Sequence, residues 1–381
     1  MSVLALATAG LAGVAWQVSQ RIFDGAIFAP NVRKELTYER VEIVAVDDST
    51  VTVRAERPGA RMSRSGTWGI RWRDGYGRVG SILEARGVET RREFVSDRGS
   101  LAAGVEAQID PFSFEGEPSS SLGLASQEVS VPTELGSFPA WHVPGTSTTW
   151  ILFVHGKEAR REEALRMIQI VAPLGFPSLV ITYRNDPEAL ASADRRYHYG
   201  GTEWIDVEAA VRYALGHGAT DVVLVGYSMG GAIVMSFLTH SADRTCVSRA
   251  ILEAPMLRLD AVVDHGISRL RLPLLNARYP TFITELSKAL AALRYGFRWS
   301  DFDCLAEDLD VRIPFLLLHG EEDTVVPFHT SASLASELDD LATLVLFPGA
   351  DHVECWNVDP TRYRDVVVSF LSESGRSAVA R

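Results

Sequence analysis

The chain has 381 residues, a formal net charge of −12 and no long basic run, so a nucleic acid is not expected as its main partner. Its composition, 46% hydrophobic and 23% charged, is an ordinary globular balance that allows one large domain beside a smaller one, or two medium domains. The three cysteines, Cys246, Cys304 and Cys355, are widely spaced and lack metal-ligand spacing, which indicates neither a disulfide framework nor a zinc site.

Residues 3–18 are almost wholly apolar and allow three interpretations. We favour a helix that anchors the protein in a membrane, although the run is slightly shorter than the roughly 20 apolar residues that a span needs. The positive charges that follow, at Arg21, Arg33 and Lys34, would keep the rest of the chain on the cytoplasmic side. The alternatives are a helix packed on a soluble cytoplasmic protein and a cleaved signal peptide, which would normally carry a positive charge before its apolar run.

Residues 31–125 have the pattern of a small antiparallel β-rich domain that ends in a linker. Two runs of alternating apolar residues, 41–46 and 50–55, are separated by the turn-forming sequence Asp-Asp-Ser, which predicts a hairpin. The stretch 111–123 is rich in proline, serine and glycine, and we interpret it as a linker or an exposed loop.

From residue 126 to the C-terminus, short apolar runs alternate with helical patterns. This alternation predicts an α/β fold, with a doubly wound, mostly parallel sheet that carries helices on both faces. The predicted strands cover residues 150–155, 178–183, 222–225, 249–253, 314–319 and 343–347. Ligand-binding residues of such sheets lie beyond the carboxyl ends of the strands, so the residues after each strand are the candidates for a site.

The strand at residues 222–225 leads into Gly226-Tyr227-Ser228-Met229-Gly230 and then into an apolar helical run. A serine on a sharp strand-to-helix turn has a strained backbone, and glycines two residues before and after it allow neighbouring backbone to approach. The turn would place the Ser228 hydroxyl at a helix N-terminus, where backbone N–H groups stabilise negative charge. Because this pattern occurs by chance in about one chain in ten of this length, the interpretation depends on partners elsewhere in the sequence.

Two later strands are followed by groups suited to be those partners, first Asp323 and then His352. A serine hydroxyl is a poor nucleophile at neutral pH, and a neutral imidazole must accept its proton as it attacks. A carboxylate then holds the imidazole in the required tautomer and stabilises the imidazolium. The candidate carboxylates are Glu321, Glu322, Asp323 and Asp351.

The sequence from about residue 126 onward resembles the serine hydrolases of the α/β-hydrolase fold, most of all their esterase and prolyl-oligopeptidase-like branches. The resemblance rests on four segments in the family's order, namely His155-Gly156, the Ser228 turn, residues 320–327 and residues 349–352. It implies that Ser228 is the nucleophile, His352 the general base and Asp323 the triad acid. It also implies an oxyanion hole formed by the backbone N–H groups of Met229 and Lys157, and no cofactor or metal ion.

Residues 256–310 are longer than a single crossover between two strands requires, and their apolar and helical patterns predict a small helical cap over the site. A cap of this kind excludes water and shapes an apolar pocket. The predicted organisation is therefore a hydrophobic N-terminal helix, a β-rich domain and a catalytic domain with its cap, over residues 1–30, 31–125 and 126–381.

These motifs predict a serine hydrolase that cleaves a carboxylic ester, with a small-molecule acyl ester as its substrate and an acyl-enzyme intermediate. Two alternatives remain open. One is an oligopeptidase or acylaminoacyl-peptidase-like enzyme that cleaves amides, although the N-terminal section is too short for the propeller domain that such enzymes usually carry. The other is a non-catalytic binding or scaffold protein on the same fold.

Overall fold

The computed structural model describes residues 3–29, 39–57, 60–271, 277–305 and 312–372, and for residues 3–12 it describes the helical backbone only. The α-helices of these ranges are α1 (Val3–Ile22), α2 (Pro118–Leu122), α3 (Leu165–Val171), α4 (Trp204–Gly216), α5 (Met229–His240), α6 (Leu259–Arg269), α7 (Thr281–Tyr295), α8 (His329–Leu338), α9 (Cys355–Val358) and α10 (Pro360–Ser372). The strands are β1 (Glu39–Val46), β2 (Thr50–Ala55), β3 (Trp68–Trp72), β4 (Gly75–Arg86), β5 (Glu89–Arg98), β6 (Glu106–Asp110), β7 (Gln127–Thr133), β8 (Gly136–Val143), β9 (Thr149–Val154), β10 (Ser178–Ile181), β11 (Asp221–Tyr227), β12 (Val247–Glu253), β13 (Phe315–Gly320) and β14 (Ala342–Phe347).

Strands β1 to β6 close into an antiparallel barrel in the order β1-β2-β5-β4-β3-β6. The predicted hairpin is its first unit, and Ile43 of β1 lies opposite Val53 of β2. Alternate residues of a strand point to the same side, so both side chains lie in the barrel interior, where each is fully buried. Closure removes the free edges that an open sheet of this size would expose. The predicted antiparallel β-rich domain thus takes the form of a closed barrel.

The stretch 111–123, which we predicted to be a linker or an exposed loop, begins in the protein interior. Phe112 and Phe114 are only 6% and 3% exposed. The ring of Phe114 packs 5.5 Å from that of Trp356, which belongs to the large sheet domain. The prediction was wrong for these residues because it weighted the turn-forming composition and overlooked two aromatic side chains that gain free energy from burial.

The second sheet has eight strands in the order β14-β13-β12-β11-β9-β10-β8-β7. The six strands from β9 to β14 pair in parallel, whereas β7 and β8 form an antiparallel hairpin that joins the sheet beside β10. The predicted α/β fold with a mostly parallel sheet is therefore confirmed. Each predicted strand overlaps an observed one within a few residues, because these strands are uniformly apolar and bounded by polar turns.

Both faces of this sheet are covered by helices. Leu152 and Val154 of β9 face one hydrophobic cluster with α4 and α5, whereas Ile151 and Phe153 face another with α3 and α10. This division follows from the period of two in a β-strand, and it explains why β9 is apolar at successive positions. The parallel strands therefore end at one common edge, which places the residues that follow β9, β11, β13 and β14 near one another.

The cap consists of α6, α7 and a short 3₁₀ turn, Trp299–Phe302. Residues 272–276 and 306–310 of the predicted cap lie outside the described residues. The cap touches the acid loop between β13 and α8, where the His265 Nε2 atom of α6 lies 3.1 Å from the carbonyl oxygen of Asp323. The predicted cap is thus helical in its described part and contacts the site from the side of the acid loop.

Helix α1 packs on cap helix α7 through its C-terminal half. The Arg294 guanidinium lies 3.5 Å from the centre of the Trp16 ring and donates a hydrogen bond of 2.9 Å to Ser19 Oγ. At the end of α1, the ring of Phe23 stacks on Tyr295 with 3.7 Å between ring centroids. These contacts correspond to the packed-helix interpretation of the N-terminal segment.

The side chains of residues 3–12, which make up most of the predicted membrane anchor, lie outside the described residues. Ala15, Val18 and Ile22 form one buried face of α1, at the spacing expected for a helix that packs on protein. No helix within the described ranges combines the length and the apolar character that crossing a membrane requires. The structure therefore does not support the predicted transmembrane helix.

Candidate active site

Ser228 occupies the turn between β11 and α5, as the sequence predicted. Its backbone has φ 50° and ψ −116°, a conformation that side-chain-bearing residues rarely adopt. A Cβ atom at Gly226 would lie 2.6 Å from the carbonyl oxygen of Gly230, and one at Gly230 would collide with the carbonyl oxygen of Val154. The two glycines are therefore required by close backbone contacts around the serine.

His352 connects Ser228 with Asp323. Its Nε2 atom lies 2.8 Å from Ser228 Oγ, and its Nδ1 atom lies 2.8 Å from Asp323 Oδ2. The Asp323 side chain is 1% exposed and that of His352 is 20% exposed. With the proton on Nδ1, this arrangement leaves Nε2 free to accept the serine proton.

The alternative carboxylates, those of Glu321, Glu322 and Asp351, are exposed or bind groups other than the His352 imidazole. Glu321 and Glu322 are exposed at the start of the acid loop. The Oδ1 atom of Asp351 accepts hydrogen bonds from the backbone N–H and the hydroxyl of Thr324, at 2.7 and 2.8 Å, and from the backbone N–H of His352. Asp351 therefore joins the acid loop to the histidine loop, the segment 348–354 between β14 and α9, while Asp323 faces the imidazole.

Asp323 is held in its ionised form. Burial acts to raise its pKa, but the charge of His352 and hydrogen bonds from His319 and His352 outweigh burial and keep the pKa well below its usual range. Its other oxygen, Oδ1, accepts hydrogen bonds of 2.8 and 2.7 Å from the backbone N–H groups of Val325 and Val326. The carboxylate is thus fixed in both charge and orientation.

The charge of Asp323 acts on His352 in turn. Burial of the imidazole acts to lower its pKa, but the charge of Asp323 and its hydrogen bond more than compensate, so the pKa of His352 is raised above its ordinary value. A raised pKa makes His352 a stronger base, which favours removal of a proton from Ser228.

The expected oxyanion donors belong to Met229, which follows Ser228 in the chain, and Lys157, which lines the same cavity as Ser228. Met229 is the first residue of α5, and the first N–H groups of a helix have no acceptor within the helix. Lys157 follows the end of β9, after Gly156, whose own N–H donates a hydrogen bond of 2.8 Å to Glu163 Oε2. Because the N–H of Gly156 is already bonded to Glu163, the backbone N–H of the next residue, Lys157, is the candidate for the second oxyanion donor.

A buried network that sequence reasoning missed supports the end of β9. The Nε2 atom of His155 lies 2.9 Å from Asp186 Oδ2, and the hydroxyl of Tyr183 donates to the carbonyl oxygens of His155 and Gly156. Burial acts to lower the pKa of His155, but the Asp186 carboxylate raises it overall. No sequence signal identifies Asp186 and Tyr183, because they lie in a loop and at a strand end without a motif.

The buried Arg166 of α3 binds the histidine loop through hydrogen bonds. Its Nη1 atom donates hydrogen bonds of 2.6 Å to the carbonyl oxygen of Val353 and 2.8 Å to Asn357 Oδ1. Glu253, the last residue of β12, accepts hydrogen bonds from the backbone N–H of Cys355 and the hydroxyl of Tyr363. These contacts fix the backbone on the C-terminal side of His352.

The barrel domain contacts the same loop through Glu354. Glu354 is completely buried, and its two carboxylate oxygens accept hydrogen bonds of 2.6 Å from Arg61 Nε and 3.0 Å from Arg64 Nη2. Val353, between His352 and Glu354, has a φ of 54°, an unfavourable value for a β-branched residue. A conformation of this kind persists only where surrounding contacts impose it, and here the barrel supplies some of them.

A cavity of about 160 Å³ opens beside Ser228 and His352, and we call it the active-site pocket. Its other lining residues are Pro111, Phe112, Gly156, Lys157, Ala159, Glu163, Arg166 and Val353. The expectation that the cap shapes this pocket is not met, since none of the described cap residues is among them. Residues 111–112, directly after the barrel, form part of the wall of this pocket.

Other side chains and cavities lie away from the active-site pocket. His198 is partly exposed, and its Nε2 atom lies 2.8 Å from Asp194 Oδ2. Larger cavities of about 390 and 590 Å³ are lined by neither Ser228 nor His352. Within the ranges that the structure describes, no group of three or more His, Cys, Asp or Glu side chains is arranged to hold a metal ion.

Comparison with protein families gives two matches along the chain. A model described as "Alpha/beta hydrolase family" matches residues 143–366, more than half of the sequence. A second model, described as a "Domain of unknown function (DUF8805)", matches residues 42–110, which correspond to the barrel.

Individual relatives are distant. The human protein ABHD12B is 24% identical over 215 residues, which cover 52% of this chain and 54% of that protein. The lysophosphatidylserine lipase ABHD12 of Xenopus tropicalis is 22% identical over 204 residues, which cover 51% of this chain and 48% of that protein. This chain therefore spans about half the length of these two relatives.

Among solved structures, the esterase Pf2001 of Pyrococcus furiosus superposes with a TM-score of 0.52 at 18% sequence identity. The superposition covers 68% of this chain and 93% of the esterase. At this level of identity the likeness establishes the fold of the large domain.

Proposed function

Since the chain belongs to the alpha/beta hydrolase family, we propose that it is a serine hydrolase that cleaves a carboxylic ester. The observation that carries the proposal is the position of His352, whose two ring nitrogens lie 2.8 Å from Ser228 Oγ and 2.8 Å from Asp323 Oδ2. Nucleophile, base and orienting carboxylate are the three groups that activation of a serine requires.

In the first half of the reaction, Ser228 Oγ attacks the ester carbonyl carbon while its proton passes to His352 Nε2. The negative charge that develops on the carbonyl oxygen is stabilised by the backbone N–H groups of Met229 and Lys157. The tetrahedral intermediate then collapses, the bond to the alcohol oxygen breaks, and His352 gives the proton to the departing alcohol. The acyl group remains on Ser228.

In the second half, a water molecule gives a proton to His352 as its oxygen attacks the acyl carbon. Collapse of this intermediate releases the carboxylic acid, and the proton returns to Ser228 Oγ. Throughout the cycle Asp323 stays ionised, in agreement with a pKa held well below its usual range, and it stabilises the imidazolium form of His352.

An ester is favoured over an amide as the substrate. The superposed Pyrococcus furiosus structure is described as an esterase, and the Xenopus tropicalis relative as a lysophosphatidylserine lipase. Both names describe enzymes that release carboxylic acids from oxygen esters, and the site residues of this chain suit that chemistry.

Hydrolysis of a p-nitrophenyl ester, with the matching p-nitroanilide in parallel, tests the proposal. We expect turnover of the ester, and we expect Ser228→Ala and His352→Ala each to lower kcat by about 10⁴- to 10⁶-fold because each removes an essential group. His198→Ala is the control, because this partly exposed histidine lies outside the pocket, and its activity should stay within about twofold. Turnover that survives Ser228→Ala would refute the proposal.

A further inference from the structure

We propose that Phe112 sets the length of the acyl chain that Ser228 accepts. Phe112 lies in the segment 111–113, which follows the last barrel strand, β6, and which we call the corner. The inference rests on the proposed ester hydrolysis and adds a substrate-selecting role for the barrel. It starts from the pocket, whose walls include the reacting groups Ser228 and His352 together with Pro111 and Phe112.

The corner is fixed to the barrel by Asp110, the last residue of β6. Asp110 is fully buried, and its Oδ1 atom accepts a hydrogen bond of 2.9 Å from the backbone N–H of Phe112. Its Oδ2 atom lies 3.2 Å from Arg71 Nη2 of the barrel and 3.4 Å from Arg160 Nη2 of the large domain. One carboxylate therefore links the corner to both domains.

A second anchor reaches the corner from the histidine-loop side. The side-chain amide of Asn357 donates hydrogen bonds of 2.8 Å to the carbonyl oxygen of Pro111 and 2.9 Å to Ser113 Oγ. The Arg160 guanidinium also covers the Phe112 ring at 5.2 Å from its centre. Moving the backbone at Phe112 would break buried polar contacts, which are costly to leave unmade. With the backbone fixed and Arg160 covering its ring, the side chain forms a wall of the pocket.

The size of the pocket gives the expected consequence. Since a water molecule takes up about 30 Å³ in the liquid, a cavity of about 160 Å³ holds roughly five groups of that size. The pocket borders Ser228 and the proposed oxyanion donor residue Lys157, so we assign it to the acyl portion of the substrate. A short acyl chain fills it, and a longer chain meets Phe112.

The test is the dependence of kcat/KM on acyl length, measured with p-nitrophenyl esters from acetate to dodecanoate. We expect the unaltered protein to prefer short chains. Phe112→Ala should move the optimum to longer chains and raise the octanoate-to-acetate ratio of kcat/KM by roughly tenfold, since each further buried methylene is worth about fourfold. Phe112→Leu, a milder change that keeps an apolar side chain, should shift the ratio in the same direction and serves if the alanine variant does not fold.

Phe94→Ala is the matched control. Phe94 is as buried as Phe112, at 6% exposed each, but it lies in the barrel core and does not line the pocket. Its loss should lower stability and leave the acyl-length ratio unchanged. In a second series of acetate esters that differ in their alcohol, kcat/KM should depend on the alcohol in the same way in Phe112→Ala and in the unaltered protein.

The outcomes separate this inference from the proposed function. An unchanged acyl-length ratio in a folded Phe112 variant, or a shift confined to the alcohol series, overturns the role of Phe112 if turnover still requires Ser228. Turnover that does not require Ser228 contradicts the proposed function itself.

Discussion

At the scale of single residues, the site depends on the negative charge of Asp323, which raises the pKa of His352. The proposed general base, His352, must be neutral to accept a proton, so we expect activity to rise as pH increases through its pKa. Because that pKa is raised above the ordinary value of 6.5, the acid limb of the kcat/KM profile should lie above pH 6.5. For the same reason, the stabilising contribution of protonated His352 is complete below pH 6.5 and is lost as pH rises through its folded-state pKa.

Replacing Asp323 with asparagine tests this coupling. The variant removes the charge that raises the pKa of His352 and leaves the burial that lowers it, so the acid limb should move to lower pH. We expect kcat to fall by about 10⁴-fold, since the imidazole loses both its tautomer control and the partner of its imidazolium form.

The control for that experiment is Asp351→Asn, because Asp351 bonds to Thr324 and the loop backbone instead of the imidazole. It should move the acid limb far less than Asp323→Asn does. An acid limb that stays in place in Asp323→Asn, or that moves equally in both variants, would contradict the assignment of Asp323.

At the scale of structural elements, the histidine loop is fixed by two domains. Arg166 of α3 bonds to Val353, and the barrel domain pairs Arg61 and Arg64 with the buried Glu354. Both anchors follow directly after His352, and one of them is the strained Val353, so the barrel domain helps to position the proposed base without touching substrate through this contact.

Glu354→Gln isolates that contribution, because it keeps the shape of the side chain and removes its charge. Loss of a buried partner costs about 3–5 kcal/mol in a fully buried pair, and less here because both arginine side chains are 25% exposed. We expect kcat to fall by roughly tenfold to a hundredfold through displacement of His352, with KM unchanged. Steady-state kinetics on a short p-nitrophenyl ester and a thermal melt measure both effects.

Glu42→Gln provides the comparison, since Glu42 pairs with Arg54 on the exposed surface of the same barrel. Surface pairs contribute little, so its kcat and melting temperature should match those of the unaltered protein. If Glu354→Gln behaved like Glu42→Gln, or raised KM alone, Glu354 would not be a positioning residue for His352.

At the scale of the whole molecule, the sequence predicts the features that short stretches of chain encode, namely the strands and the candidate site residues that follow them. The strands are continuous apolar runs, and Ser228, Asp323 and His352 each follow one of them, so fold and site candidates are accessible without a structure.

The contacts between distant residues that complete the site cannot be predicted from local sequence patterns. Arg61 and Glu354 are 293 positions apart and belong to different domains, and neither carries a motif. Phe112 lies in a stretch whose composition suggests a loop, and the burial of α1 against α7 depends on a partner far along the chain. Long-range packing decided these features, and single-sequence patterns do not report it.

Among all the nucleophiles of the protein, we expect the hydroxyl of Ser228 alone to be activated. Reaction of the folded protein with a fluorophosphonate probe, followed by peptide mapping, measures this directly. We predict covalent labelling at Ser228, loss of labelling in Ser228→Ala, and loss on heat unfolding, since activation requires the assembled site. Labelling at another residue, labelling that survives Ser228→Ala, or no labelling together with no ester hydrolysis would contradict the account.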